Sequence, residues 1–422
     1  MDRLFVSVTA PNEIPLEATQ QERDDALSLL RAVQQGEPPY TDTLGWHKSS
    51  LWAGEAWLDR YLSLSARIRE DADAFVVVGV GGSNQAARAT ITALRDQCSG
   101  PAVFWAGNTL SAYAAEELLK TLEPYRRIYI NVIAKNFETL EPGLAFRVLR
   151  GLLRSRYPDA WQQHVTVTGT PGGHLEALSR RHGFSFLPFP VEIGGRFSAL
   201  SPVGLFPMAV AGLDIRRLAQ GAADMERQLK TDQSADNPAL RYALLRYRLY
   251  RMGYRTELLA CFEPRMARFL KWWVQLFGES EGKSGLGLFP AAAGYSEDLH
   301  SIGQFVQEGT PLLFESFLTF RKKSNSLSLS SDEVDDRFAY LDGMSLDKIN
   351  RAACKATIAA HASVLPCIEF SLPEVNEYTF GMLFYFFFFS CYLSGRMLGV
   401  NPFDQPGVED YKTRMFRMLG KQ

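Results

Sequence analysis

Apolar side chains in this chain fall into short unbroken runs set apart by segments with helical spacing. The β-rich runs at 74–80 (AFVVVGV), 102–105 (AVFW), 128–133 (IYINVI) and 165–168 (VTVT) carry no charged residue. Strands buried on both faces read this way, so the pattern predicts a parallel sheet covered by helices on either side. A second set at 257–261, 312–319 and 363–370 lies between longer helical stretches and predicts another α/β unit of the same style. Upstream, Ala26, Leu29, Leu30 and Val33 recur at helical spacing within 20–34, and Gly36, Glu37, Pro38 and Pro39 supply the stop for an amphipathic helix in an N-terminal arm. Asn237 before Pro238 pairs a preferred cap with proline at the first helical position, which predicts a helix through Arg251. The most apolar stretch, 380–393 (FGMLFYFFFFSCYL), falls short of the roughly 20 residues that cross a bilayer and predicts a helix buried in protein. The Ser-rich segment 322–336 has little to bury and predicts a surface loop.

Composition narrows the class. With 422 residues, 46% apolar and 22% charged, the chain is an ordinary globular one, long enough for more than one core. Lys plus Arg number 45 against 47 Asp plus Glu, so no chain-wide positive field exists for nucleic acid or an acidic membrane. Any anionic ligand must be held locally. Five widely spaced cysteines form neither a CxxC pair nor a Cys/His cluster, and no HExxH or paired-histidine spacing suggests a metal. A reducing cytoplasm fits these cysteines, and the first ten residues lack the apolar core of a secretion signal.

Candidate chemistry sits in four places. VVVGVGGS at 76–83 puts glycines straight after a buried strand, where a turn into a helix frees backbone N–H groups for an anion; a plain tight turn needing small residues is the alternative. The spacing is GxGGS rather than GxGxxG, and the end of the next strand, Trp105 to Asn108, offers no acid for a ribose, which argues against NAD. After the 128–133 strand, AKNFETLEP offers Lys135 for a phosphate with Asn136 and Thr139 as donors, although Glu138 would repel a dianion; Lys135 as a solvated loop lysine is the alternative. FGESEGK at 277–283 has one residue too few between its glycines for a phosphate loop, leaving Glu279 and Glu281 beside aromatic residues, either as a candidate base or as two surface acids on a loop. His300 alone among six histidines lies in a dense polar, Gly-containing run, 295–309.

Taken together, these stretches resemble the glucose-6-phosphate isomerases, especially their shorter bacterial branch. The resemblance is carried by VGVGGS at 78–83, GGRFSALSPVGLFPMAVAG at 194–212, FGESEGKSGLGLFPAAAGYSEDLHSIGQFVQEG at 277–309, PEVNEYTFG at 373–381 and GVNPFDQPGVEDYK at 399–412. It implies an N-terminal arm (1–45), two sugar-isomerase-type (SIS) α/β domains (46–189 and 190–370), each a parallel sheet flanked by helices, and a C-terminal helical segment (371–422) completing the active site. It implies interconversion of glucose 6-phosphate and fructose 6-phosphate through a cis-enediol, with no metal or organic cofactor. Glu279 would be the base, Arg196 would stabilise the enediolate, and His300 and Lys412 would move protons during ring opening. Gly82, Ser83, Lys135, Asn136, Thr139 and Gln405 would bind the substrate. The family pattern also implies a homodimer in which the histidine crosses to the neighbouring subunit. Relatives carry an SKSGTTTEP-like phosphate loop where this chain has Ala134, Phe137 and Glu138. A related isomerase with another sugar substrate, and a noncatalytic sugar-phosphate-binding paralogue, are the alternatives this departure leaves open.

Overall fold

The computed structural model describes residues 3–35, 40–322 and 327–420; the breaker at 36–39 and part of the Ser-rich segment lie outside them. Ten strands carry the described fold: β1 (Phe5–Thr9), β2 (Ala74–Val78), β3 (Ala102–Ala106), β4 (Ile128–Ala134), β5 (Val165–Gly169), β6 (Ser185–Pro188), β7 (Thr256–Cys261), β8 (Phe289–Gly294), β9 (Leu313–Phe320) and β10 (Cys367–Leu372). One sheet has the order β3-β2-β4-β5-β6 and every pairing in it is parallel. Its central strands are buried throughout, and one face packs Val76, Val78, Ile130 and Val132 against Phe146, Leu149 and Leu153 of the helix Leu140–Arg156. Each such side chain contributes about 1.5–3 kcal/mol by leaving water, which is why continuous apolar runs settle here.

The other sheet has the order β1-β10-β9-β7-β8. Its last four strands are parallel, while β1 pairs antiparallel with β10, Phe5 opposite Ser371. The N-terminal arm therefore holds an edge strand as well as the expected helix, Gln20–Gln34. The 363–370 run starts late as a strand: the helix Leu346–His361 and a turn occupy the residues up to Pro366, and pairing begins at Cys367. Asn237 caps the helix Pro238–Arg251 as its sequence requires, accepting from the Ala239 and Leu240 amides.

By internal contacts the chain forms two compact units, Ala32–Thr231 with Phe380–Phe389, and Met1–Arg31 with Asp232–Thr379 and Ser390–Gln422. The helix Glu377–Met397 contributes to both. By length and composition it could cross a membrane, yet 94% of its most apolar window is buried in protein, as a core helix should be. In the first unit its Phe388 and Phe389 edge onto Trp46, and Phe389 stacks on His47.

His47 titrates out of its usual range in that setting. Burial, then the nearby Lys230 charge, pushes it down to about 4 against a partial counterweight from Glu226, and its buried Nε2 has no hydrogen-bond partner. A folded value below the unfolded one means that the unfolded chain takes up the proton first. Stability is therefore full above about pH 6.5 and falls toward pH 4, by about 3 kcal/mol for this group. His47→Leu should remove that part of the acid-side loss in urea unfolding followed from pH 7 to pH 4. Unchanged slopes would exclude His47 as its source.

Candidate active site

In the unit built on the all-parallel sheet, three loops meet beyond the C-terminal ends of the strands. After β2, the Gly79 amide donates to Ala106 O and buried Asn84 donates from Nδ2 to Gly79 O at 2.6 Å. Gly81 takes φ +55°, and Gly81–Ser83 forms a 3-10 turn before the helix Gln85–Ala93. Gly82 lies directly on the Gly195–Arg196 backbone, so that a Cβ there would overlap the Gly195 carbonyl. Ser198 joins the two turns, its hydroxyl placed to donate to Gly195 O at 2.6 Å and to Gly82 O at 3.3 Å. The packing fixes Arg196, which is only 2% exposed and lies 5.9 Å from the Phe197 ring centre.

The loop after β4 reaches the same segment. Lys135 Nζ donates to Val191 O at 3.0 Å and Ile193 O at 2.9 Å, just ahead of the Gly194-Gly195-Arg196 turn. It is thus half-buried and tied down, not a solvated loop lysine; burial pushes its ammonium below the usual range against an opposing pull from Glu192. Asn136 and Thr139 are exposed, with Thr139 at the N-cap of the helix Leu140–Arg156. Phe137 turns onto the core, stacking on His174 and edging onto Phe146, so its bulk leaves the mouth of the loop clear. Glu138 is exposed. The structure therefore brings Gly82, Ser83, Lys135 and Arg196 to one place.

In the other unit, Glu279 stands in the last turn of the helix Ala267–Glu281, so the ESEGK acids are helical and not on a loop. Phe269, Trp272, Trp273, Leu276 and Phe277 form the buried stripe that makes the segment helical. Glu279 is partly exposed and accepts from Gln275 Nε2 at 3.1 Å, one turn back. Glu281 is fully buried, its Oε2 2.6 Å from Arg246. Beyond the helix, Ser284 (φ +53°) and Gly285 (φ +73°) are the two left-handed residues of a tight turn closed by Leu286 N to Lys283 O at 2.8 Å. The turn directs Lys283 onto Asp404 at 2.8 Å and onto Asn401 O, holding the 401–404 segment that leads into exposed Gln405.

His300 and Lys412 belong to the same unit as Glu279. His300 is exposed at the start of the helix Leu299–Glu308, and Lys412 pairs with Glu409 at 2.8 Å on the helix Glu409–Met418. Sequence reasoning missed Arg246 and Glu257, which complete a buried cluster with Glu281. A signal was there: Arg246 is a charge on the stripe of Ala239, Tyr242 and Leu249, otherwise turned to the core. Among the described residues, no group of three or more His, Cys, Asp or Glu is placed to hold a metal ion.

Two α/β units, one built on an all-parallel sheet and the other on a sheet with four parallel strands, are the architecture of the sugar isomerases. The phosphoglucose isomerase family model matches residues 67–419, and the chain belongs to that family. It is 39% identical to a glucose-6-phosphate isomerase of Staphylococcus saprophyticus, over 96% of this chain and 93% of the relative. It is 41% identical to one of Bacillus cereus, over 94% and 91%. The solved glucose-6-phosphate isomerase of Chlamydia trachomatis shares the fold, with a TM-score of 0.84 at 20% identity over 99% of this chain and 88% of that one.

Proposed function

We propose that Glu279 is the base that carries a proton between C2 and C1 of an open-chain hexose 6-phosphate. The activity is the aldose–ketose isomerisation of the family, interconverting glucose 6-phosphate and fructose 6-phosphate through a cis-enediol. The chemistry balances internally: as the C2 alcohol becomes a ketone the C1 aldehyde becomes an alcohol, and only protons move between carbon, oxygen and Glu279. Arg196, held by the packing of Gly82 on Gly195, stabilises the negative oxygen of the enediolate. His300 and Lys412 move the protons of ring opening. Gly82, Ser83, Lys135, Asn136, Thr139 and Gln405 hold the sugar and its phosphate, and the chain works as a cytoplasmic homodimer with His300 supplied across the subunit boundary.

The observation that carries this reading is the division of labour within ESEGK. Glu281 is sealed in an ion pair with Arg246, while Glu279, two residues earlier, stays partly open to the surface. The chain's departures in the phosphate loop leave Lys135 in place and turn Phe137 away into the core, which favours a phosphorylated hexose. Glucose 6-phosphate deuterated at C2 tests it: the label should pass to water or to C1, at a rate per enzyme about a hundredfold or more above that with unphosphorylated glucose. Retention of the label at C2 would overturn the assignment.

A further inference from the structure

Two acids in the last turn of a helix are in the wrong place electrostatically. The C-terminal end carries the negative pole of the helix dipole, and the turn Gly278–Glu281 holds no basic residue to offset it. Left alone, this turn should fray, and Glu279 stands in it.

The compensation comes from outside the helix. Arg246, on the helix Pro238–Arg251, is fully buried and reaches both Glu281 Oε2, at 2.6 Å, and Glu257 of β7. Its guanidinium carbon lies 4.1 Å from the centre of the Phe277 ring, so that it grips the same final stretch of helix twice. Its Nε donates to Ser394 Oγ at 3.2 Å, while Glu257 accepts from Tyr242 and Ser316 at 2.7 and 2.6 Å. Burial works against the charge on Arg246, yet Glu281 and the other partners hold its pKa above the usual value.

The geometry converts this clamp into aim. Residues two apart on an α-helix point about 200° apart around its axis. Fixing Glu281 toward the core therefore fixes Glu279 on the opposite side. We propose that Arg246, through Glu281, is a positioning residue that sets the roll of the last helical turn and thereby directs the Glu279 carboxylate at the substrate. The proposal rests on Glu279 being the base. Arg246 does not touch the substrate, and its effect passes through the backbone of 278–281.

The test is a double-mutant cycle on the full-length enzyme with glucose 6-phosphate. Glu281→Ala is expected to lower kcat by roughly ten- to a hundredfold, with KM within about threefold, because a displaced base slows proton transfer without loosening the sugar. In a Glu279→Asp background, where the carboxylate is already drawn back, the same substitution should cost less than about threefold. Glu281→Gln, which can still accept from Arg246, should restore kcat to within about threefold of the parent. If Glu281→Ala does not fold, Arg246→Lys, which retains the charge but loses the two-pronged grip, takes its place in the cycle with the same expectations. Equal losses in both backgrounds, or an unchanged kcat with only a lower melting temperature, would reduce the cluster to a structural role. Failure of the underlying reading looks different: Glu279→Asp itself would then turn over like the parent enzyme.

Discussion

Glu279→Gln is expected to lower kcat in both directions by about a thousandfold or more while KM stays within about threefold, a loss of roughly 4 kcal/mol of transition-state stabilisation. The amide matches the carboxylate in size and can keep the hydrogen bond from Gln275. The substitution therefore removes the capacity to take a proton and little else. Substrate affinity should persist because the proposed phosphate contacts, Lys135, Asn136 and Thr139, belong to the loop after β4 and the start of its helix. Initial rates from glucose 6-phosphate and from fructose 6-phosphate, with C2 deuterium wash-out as an independent readout, check it. A kcat within tenfold of the parent would remove Glu279 as the base.

Gly82→Ala should be nearly as damaging, by a different route. A methyl group at this position would overlap the Gly195 carbonyl and come within 2.7 Å of the Arg196 amide nitrogen. These are backbone atoms that cannot swing aside, so the two turns must separate and carry Arg196 with them. The expected result is a fall in kcat/KM of about a hundredfold, with an overpacking cost of about 1–3 kcal/mol seen as a lower urea midpoint. Gly143→Ala is the control: a Cβ there meets nothing within 4 Å, and in a helix the change should raise stability slightly. Full activity in Gly82→Ala would show that the contact does not hold Arg196 in place.

Strands enclosed on both sides were plain in the sequence, and the exceptions share a cause. β2, β4, β5, β7, β9 and β10, each with a neighbour on either side in its sheet, overlap the β-rich runs, as does one edge strand, β3. The three strands that the pattern did not reveal, β1, β6 and β8, are all edge strands. β1 alternates (FVSVT), β6 ends in proline, and β8 (FPAAAG) combines a proline with small residues. Such strands have one free side and less to bury, so their apolar runs are short and proline is tolerated. At the site, short motifs exposed the chemical groups, but not the contacts that restrain them. That Lys135 would bind the carbonyls of Val191 and Ile193, or that Arg246 would meet Glu281, depends on pairs 56, 58 and 35 residues apart. No local spacing encodes such pairs; only the completed chain path does.

The antiparallel pairing of β1 with β10 sets an order on assembly. On the ribosome, β2 to β6 emerge one after another and find their partners nearby in the chain, so the all-parallel sheet can close early. β1 emerges before any of them, yet its partner is the last strand of all to be made. Until then it trails as a sticky ribbon with open amides, the stage at which a nascent chain is most exposed to capture by its neighbours or by a chaperone.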